Sequence, residues 1–300
     1  MQRQIITLFV SLFLLLSQAA AQDGTQQARG ALFKVSGSGH SMYLFGTMHV
    51  GLPAFYPLEK RITEAVAQAS TLALEVDTAQ DAGAMARAMQ EYGVFPPGSR
   101  GFAGLDPSVK ARLDKVLATM HMQSSSVEGL RPWLVATVLA LNEYAAQGYR
   151  SDLAVDAHMA QLAHAGKAKV IELESVVAQL SLFGRLSLED QWRFLEESIE
   201  AIETGKQKRE VREIVEAWRT ADQKAFDAIA ARAEEDTSVS GRFVQKVLLE
   251  ERNGPIADKL AALLAREDKA VAAIGVLHLV GKLSVPLLLR ARGLTVERVY

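Results

Sequence analysis

Two histidines near opposite ends of the chain sit in the same local pattern. Tyr43-Leu44-Phe45-Gly46-Thr47-Met48-His49-Val50-Gly51 and Ala273-Ile274-Gly275-Val276-Leu277-His278-Leu279-Val280-Gly281 each run from an apolar stretch into Gly-x-x-His, an aliphatic residue and a second glycine. Imidazole is the commonest metal ligand and titrates near neutral pH. His49 and His278 are therefore suited to hold a divalent ion or to shuttle a proton. The Gly-x-x-His spacing is common in itself; its repetition in one setting is what singles the pair out. Glu75 is the third group. It closes the apolar stretch Leu72-Ala73-Leu74-Glu75-Val76. With the two histidines it completes a two-His-one-carboxylate set able to bind a divalent metal with positions left open. Without a metal, the same groups could do general-base work on water. A carboxylate so placed also suits a plain ion pair or a helix cap.

Other acids and cations rank behind these. Glu172 and Glu174 close the stretch Lys169–Leu173 as Glu75 closes its own. Arg252-Asn253 precedes Gly254-Pro255. The pair reads either as a helix C-terminus with its cation placed for the dipole, or as an anion or oxyanion clamp built on the planar guanidinium fork. Asp156 reads as a solvated helix face. His40, His121, His158 and His164 read as structural or surface residues.

Strand ends must position the first group. A strand that stops at a glycine turns tightly, since φ > 0 costs glycine little and another backbone or ligand can approach. Ala31–Val35 and Met42–Phe45 read as strands separated by the turn Ser36–Ser41. A helical stripe of Ile62, Ala65, Val66 and Ala69 follows, then the strand Thr71–Val76. On that strand Glu75 and Asp77 share one face. Helices are expected over Ala84–Gln90, Pro107–Met120, Pro132–Gln147, Asp152–Ala165, Leu188–Ile202, Glu210–Trp218, Asp222–Ala231 and Ser240–Glu251. A short strand, Lys169–Leu173, interrupts them. Val271–Ile274 returns to sheet, Lys282–Arg292 is a helix broken at Pro286, and Leu294–Val299 is a last strand. The expected class is α/β (α+β). A mixed sheet of N- and C-terminal strands carries a large helical insertion and two pseudo-equivalent strand–Gly-x-x-His units. Crevices at strand ends in such sheets bind ligands.

Composition bounds the rest. Met1–Ala21 joins a basic start, the apolar run Ile5–Leu16 and the small residues Ala19-Ala20-Ala21, the pattern of a cleaved signal peptide. Residues 22–30 read as a flexible lead-in and 31–300 as one domain. The protein is expected to be exported, periplasmic or secreted, with no stable membrane anchor after cleavage. It has no cysteine, so disulfides, thiolate metal sites and thiol nucleophiles are excluded. Removing Arg3 takes the net charge from −2 to −3, which offers no basic footprint for nucleic acid.

The ordered set Tyr43–Val50, Leu74-Glu75-Val76-Asp77, Arg131-Pro132-Trp133, Val155-Asp156, Ile171–Ser175 through Gln179-Leu180, Glu251-Arg252-Asn253 and Ala273–Gly281 resembles the TraB/GumN family, which includes the Tiki proteins. The resemblance runs from about residue 30 to 300, with Ala154 where the family pattern has glycine. It implies a metal-dependent hydrolase, since Tiki members are described as metalloproteases using manganese or cobalt, with erythromycin esterases and ChaN-type proteins as distant relations. It maps the paired histidines onto His49 and His278, the acidic strand end onto Glu75 and the Arg-Asn pair onto Arg252 and Asn253. The expected function is an exported metallopeptidase. His49, Glu75 and His278 would hold Mn²⁺, Co²⁺ or Zn²⁺, Glu172 or Glu174 would orient water, and Arg252 with Asn253 would stabilise an oxyanion. Two alternatives stand beside it. One is a non-catalytic periplasmic protein binding a peptide, a metal or haem. The other is a metal-free esterase-type hydrolase with His49 as base and Glu75 as its orienter.

Overall fold

A six-stranded mixed sheet frames the protein, in the spatial order β4-β3-β5-β2-β1-β6. The computed structural model describes residues 27–77 and 82–300; the expected signal peptide and lead-in residues 22–26 lie outside these. The strands are β1 (Leu32–Gly37), β2 (His40–Thr47), β3 (Thr71–Leu74), β4 (Lys169–Glu172), β5 (Ala270–Gly275) and β6 (Thr295–Arg298). β4, β3, β5 and β2 run parallel, and β1 lies antiparallel to both β2 and β6. The mixed sheet of N- and C-terminal strands with a large helical insertion is thus present.

Strand β5 fills the gap between the N-terminal strands. Ala272 pairs with Leu44 on one side and Ala73 on the other. Its residues Ala270–Ile274 are fully buried and mostly alanine, as a central parallel strand covered on both faces requires. The β1–β2 turn is tighter than the six residues expected. Ser38 and Gly39 both adopt positive φ (53° and 80°), so pairing continues to Gly37↔His40 across a two-residue turn. Residues 28–30, expected in the flexible lead-in, are tied to the body: the Arg29 and Gly30 N–H groups donate to the carbonyls of Arg219 and Trp218.

Helix α1 (Lys60–Ala67) links β2 to β3 and buries Ile62 and Val66. The insertion comes in two instalments. Between β3 and β4 lie α2 (Ala82–Ala88), α3 (Pro107–Thr119), α4 (Pro132–Ala146) and α5 (Val155–Ala165). Between β4 and β5 lie α6 (Val176–Ser181), α7 (Leu188–Glu203), α8 (Lys206–Thr220), α9 (Gln223–Glu235), α10 (Val239–Arg242) and α11 (Glu251–Leu264). Helix α12 (Val285–Ala291) joins β5 to β6. α5 packs on β3, β4 and β5, and α11 on β2 and β5. A second apolar cluster, including Leu113, Leu117, Val135, Leu139, Leu195 and Ile199, binds α3, α4 and α7 together. Among the described residues no helix is long and apolar enough to cross a membrane.

Two proline-containing stretches differ from expectation, and α6 and all but the first residue of α11 lie where no helix was expected. The chain does not end a helix at Arg252-Asn253. Phe243–Glu250 winds as a π-helix and continues directly into α11, with Pro255 one turn inside it. The wider π winding upstream takes up the register that proline would otherwise break. Pro286 does not interrupt a helix either. It lies in the first turn of α12, where its missing N–H would have had no intrahelical partner.

Candidate active site

The four parallel strands end on one side of the sheet, and the candidate groups follow those ends. His49 lies in the bend after β2, Glu75 directly after β3, Glu174 just beyond β4, and His278 in the 3₁₀ turn Val276–Leu279 after β5. Neither Gly46 nor Gly275 takes a positive φ; of the two uses expected of a glycine at a strand end, both serve close approach. A Cβ on Gly46 would meet Val276 Cγ2 at 2.9 Å and Leu279 Cδ1 at 3.0 Å, so Gly46 lets the turn of the second unit pack on the first. A Cβ on Gly275 would lie 3.2 Å from Glu75 Oε1, 3.6 Å from His278 Cδ2 and 3.8 Å from His49 Nε2. The three groups therefore converge over Gly275.

Each histidine is anchored through Nδ1. His49 Nδ1–H donates to Asp156 Oδ2 at 2.6 Å. His278 Nδ1–H donates to Asn253 Oδ1 at 2.5 Å, and Asn253 Nδ2 donates to the Leu283 carbonyl at 2.8 Å, which fixes the amide orientation. His278 Nε2 is left facing Glu75 Oε2 at 3.7 Å. Glu75 accepts the Gly275 N–H on Oε1 at 2.6 Å, and Gln179 Nε2 on Oε2 at 3.2 Å. Arg252 Nη2 donates to the same Oε2. Arg252 also spans to Glu174 (Nε to Oε1, 3.1 Å; Nη2 to Oε2, 2.5 Å) and donates Nη1 to the Leu248 carbonyl at 2.8 Å.

These contacts set the charges. Burial works against ionisation of Glu75, but His278, Arg252, His49 and the Gly275 N–H outweigh it and hold its pKa down to about 2. Burial pushes His278 down to about 4. At neutral pH that imidazole is therefore neutral, and Arg252 carries the charge that balances Glu75. The hydrogen bond to Asp156 pushes His49 up to about 9, with the charges of Asp156 and Glu75 adding to it.

The other predicted residues separate from this cluster by role. Glu172 is exposed, and its Oε1 caps the Asp77 N–H at 2.8 Å. Asp77, expected on the face of Glu75, bonds His164 Nε2 of α5 at 3.2 Å instead, because the strand ends at Leu74 and alternation ends with it. Asp156, read as a solvated helix face, is the partner of His49. Its place in the first turn of α5 was the available signal, but its contact with residue 49 carries no local pattern. Gln179 and the Gly275 N–H were likewise not assigned roles from sequence. His40 bonds the Leu264 carbonyl at 2.8 Å, and His158 stacks on Tyr56 at 4.4 Å.

A cavity of about 350 Å³ opens at this place, lined by Thr47, His49, Glu75, Asp156 and Gln179 among others. A larger hollow, about 620 Å³, lies among Phe95, Arg100, Phe102 and Lys110 in the helical insertion and holds none of the candidate groups. The donor chemistry of His49, Glu75 and His278 suits a divalent ion, since each histidine presents Nε2 with Nδ1 anchored by an oxygen acceptor, as metal-ligating histidines do. Among the described residues no group of three His, Asp or Glu side chains is placed to hold a metal ion as it stands.

Residues 31–298 match the TraB/PrgY/gumN family. The chain belongs to this family. Among curated relatives, it is 25% identical over 269 residues to the uncharacterized protein YbaP of Shigella flexneri, covering 85% of this chain and 89% of that protein. No solved structure matches significantly. The family match spans all six strands and every residue of the cluster over Gly275.

Proposed function

We propose that this TraB/PrgY/gumN family member is an exported hydrolase that activates water against a peptide or other acyl bond, with a divalent metal held by His49, Glu75 and His278. The observation that carries the reading is the convergence of His49 Nε2, the Glu75 carboxylate and His278 over Gly275. When bound there, the metal lowers the pKa of a coordinated water towards neutrality. The chain's own residues do the rest. Asp156 and Asn253 fix the histidine tautomers so that both Nε2 atoms serve the site. Arg252 keeps Glu75 ionised in a buried place. Committed to Glu75, Glu174 and Leu248, Arg252 acts as a positioning residue rather than an oxyanion clamp, and Asn253 acts likewise through His278. The leader pattern of Met1–Ala21 supports export.

A second reading, metal-free hydrolysis, draws on the short His49–Asp156 bond, an acid–imidazole pair able to move a proton. Its orienter is Asp156 and not Glu75. The test is elemental analysis and a peptide and ester panel on the chain from Gln22 onward. Samples carry manganese, cobalt, zinc or chelator, beside H49A, H278A and E75Q. Near-stoichiometric metal lost in all three variants, with turnover that follows it, is expected. Activity surviving exhaustive chelation selects the metal-free reading. Metal bound without turnover of any substrate makes the protein a binding protein and overturns hydrolysis.

A further inference from the structure

Thr47 is the last residue of β2, 1% exposed, and the register partner of Gly275. Its Oγ1 is buried and has no hydrogen-bond partner. Thr71 of β3, equally buried, donates its hydroxyl to Glu267. Gln147 and Gln191, which each leave an oxygen unpaired, bond through the amide nitrogen to the carbonyls of Glu143 and Leu186. Thr47 has one side-chain polar atom, and nothing among the described residues meets it. A buried hydroxyl without a partner forfeits its hydration for no return, so one that persists calls for a partner from outside the chain. The candidate partner has room, because Thr47 lines the same 350 Å³ cavity as His49, Glu75, Asp156 and Gln179. His49, held at Nδ1 by Asp156 and 70% exposed, leaves Nε2 open to water, with no partner among the described residues.

We propose that Thr47 Oγ1 and His49 Nε2 hold an ordered water in this cavity, and that this water is the one consumed in the hydrolysis. The first half stands on the cavity and its two unpartnered atoms; the second rests on the metal-free hydrolase reading above, since a metal at His49 Nε2 would occupy the atom that faces the water. A buried water needs two to four polar partners, and a polar cavity wider than the molecule. Here it has the hydroxyl and the imidazole, with the Glu75 carboxylate on the same wall. A hydroxyl both donates and accepts, so Thr47 can stay bonded to the oxygen as its proton leaves. Hydrolysis adds the water's OH to the acyl carbon as the bond to the leaving group breaks, and the remaining proton goes to that group. No further reactant is needed.

The test compares metal-free parent, T47V and T47S. High-resolution crystal structures of the parent and T47S should show a water within about 3.2 Å of both the residue-47 hydroxyl and His49 Nε2, absent in T47V. On a substrate the parent cleaves, T47V should lower kcat by about 100-fold with KM nearly unchanged, as a misplaced reactant does, while T47S stays within a few-fold. No water at Thr47 in the parent overturns the proposal, as does a residue-47 hydroxyl seen bonded to a group of the protein instead. Full T47V turnover overturns the catalytic half. A metal-free parent that cleaves nothing refutes the metal-free hydrolase reading, and the crystal structures then still decide the water site.

Discussion

Replacing Arg252 should change not only how stable the protein is but how its stability depends on pH. One guanidinium, 13% exposed, holds Glu75 and Glu174, 9% and 16% exposed. Taking a carboxyl from its ordinary 4.5 to about 2 is worth ~3 kcal/mol of folding stability. The folded pKa lies below the unfolded one, so this contribution is complete above the unfolded value and is lost as pH falls through the folded value. In R252M the two carboxylates lose the guanidinium that joins them, and Glu75 must lean on the histidines alone, taking up a proton itself or drawing one onto His278. Leaving a buried charge unpaired costs about 3–5 kcal/mol. The folded variant then binds more protons than the folded parent, so the stability difference between the two grows as pH rises. The assay is urea unfolding of both proteins at intervals from about pH 5 to 8, with the slope in denaturant checked for equality. The stability difference should grow by about 2 kcal/mol or more over that interval, and E174Q in the R252M background should recover part of it. A difference that is constant with pH, or below about 1 kcal/mol throughout, would refute the reasoning.

Three further outcomes follow from the same cluster. G275A sets a methyl where Glu75, His278 and His49 converge; it should cost about 1–3 kcal/mol by overpacking and abolish metal uptake in elemental analysis, and normal uptake would show the three do not act together. D156N should let the His49 pKa fall from about 9 towards the ordinary 6.5, read from the ring-proton NMR shifts. The parent imidazole would then be largely charged at about pH 7.5 and the variant's largely neutral, and an unmoved titration would count against the Asp156 bond. N253A strands the buried His278 Nδ1–H and the Leu283 carbonyl, so thermal or urea unfolding should register a loss of about 1–3 kcal/mol.

Much of the frame was readable because its signals are local. Buried strands write continuous apolar runs, and the two Gly-x-x-His stretches stood out because a strand end and a histidine recur at one spacing. The glycines were readable as special, with positive φ and close approach both open. Gly46 and Gly275 take the second, making room for groups brought up from distant segments that no local pattern names. The anchors escaped for the same cause. Asp156 and Asn253 sit on helices whose own periodicity says nothing about which histidine they will meet. Arg252 was misread because Gly254-Pro255 is a strong local stop, and the π winding that lets the helix continue through it leaves no periodic trace.

The position of β5 also constrains how the protein can be made. Its neighbours in the sheet, β2 and β3, are finished by residue 74, but the strand that joins them begins only at Ala270. During synthesis the N-terminal hairpin and β3 must wait with open edges while both helical instalments emerge, since non-local pairing cannot reward them sooner. Open parallel edges are sticky. An export route that keeps the chain unfolded until it is complete would remove that wait, because β5 then arrives together with the edges it closes.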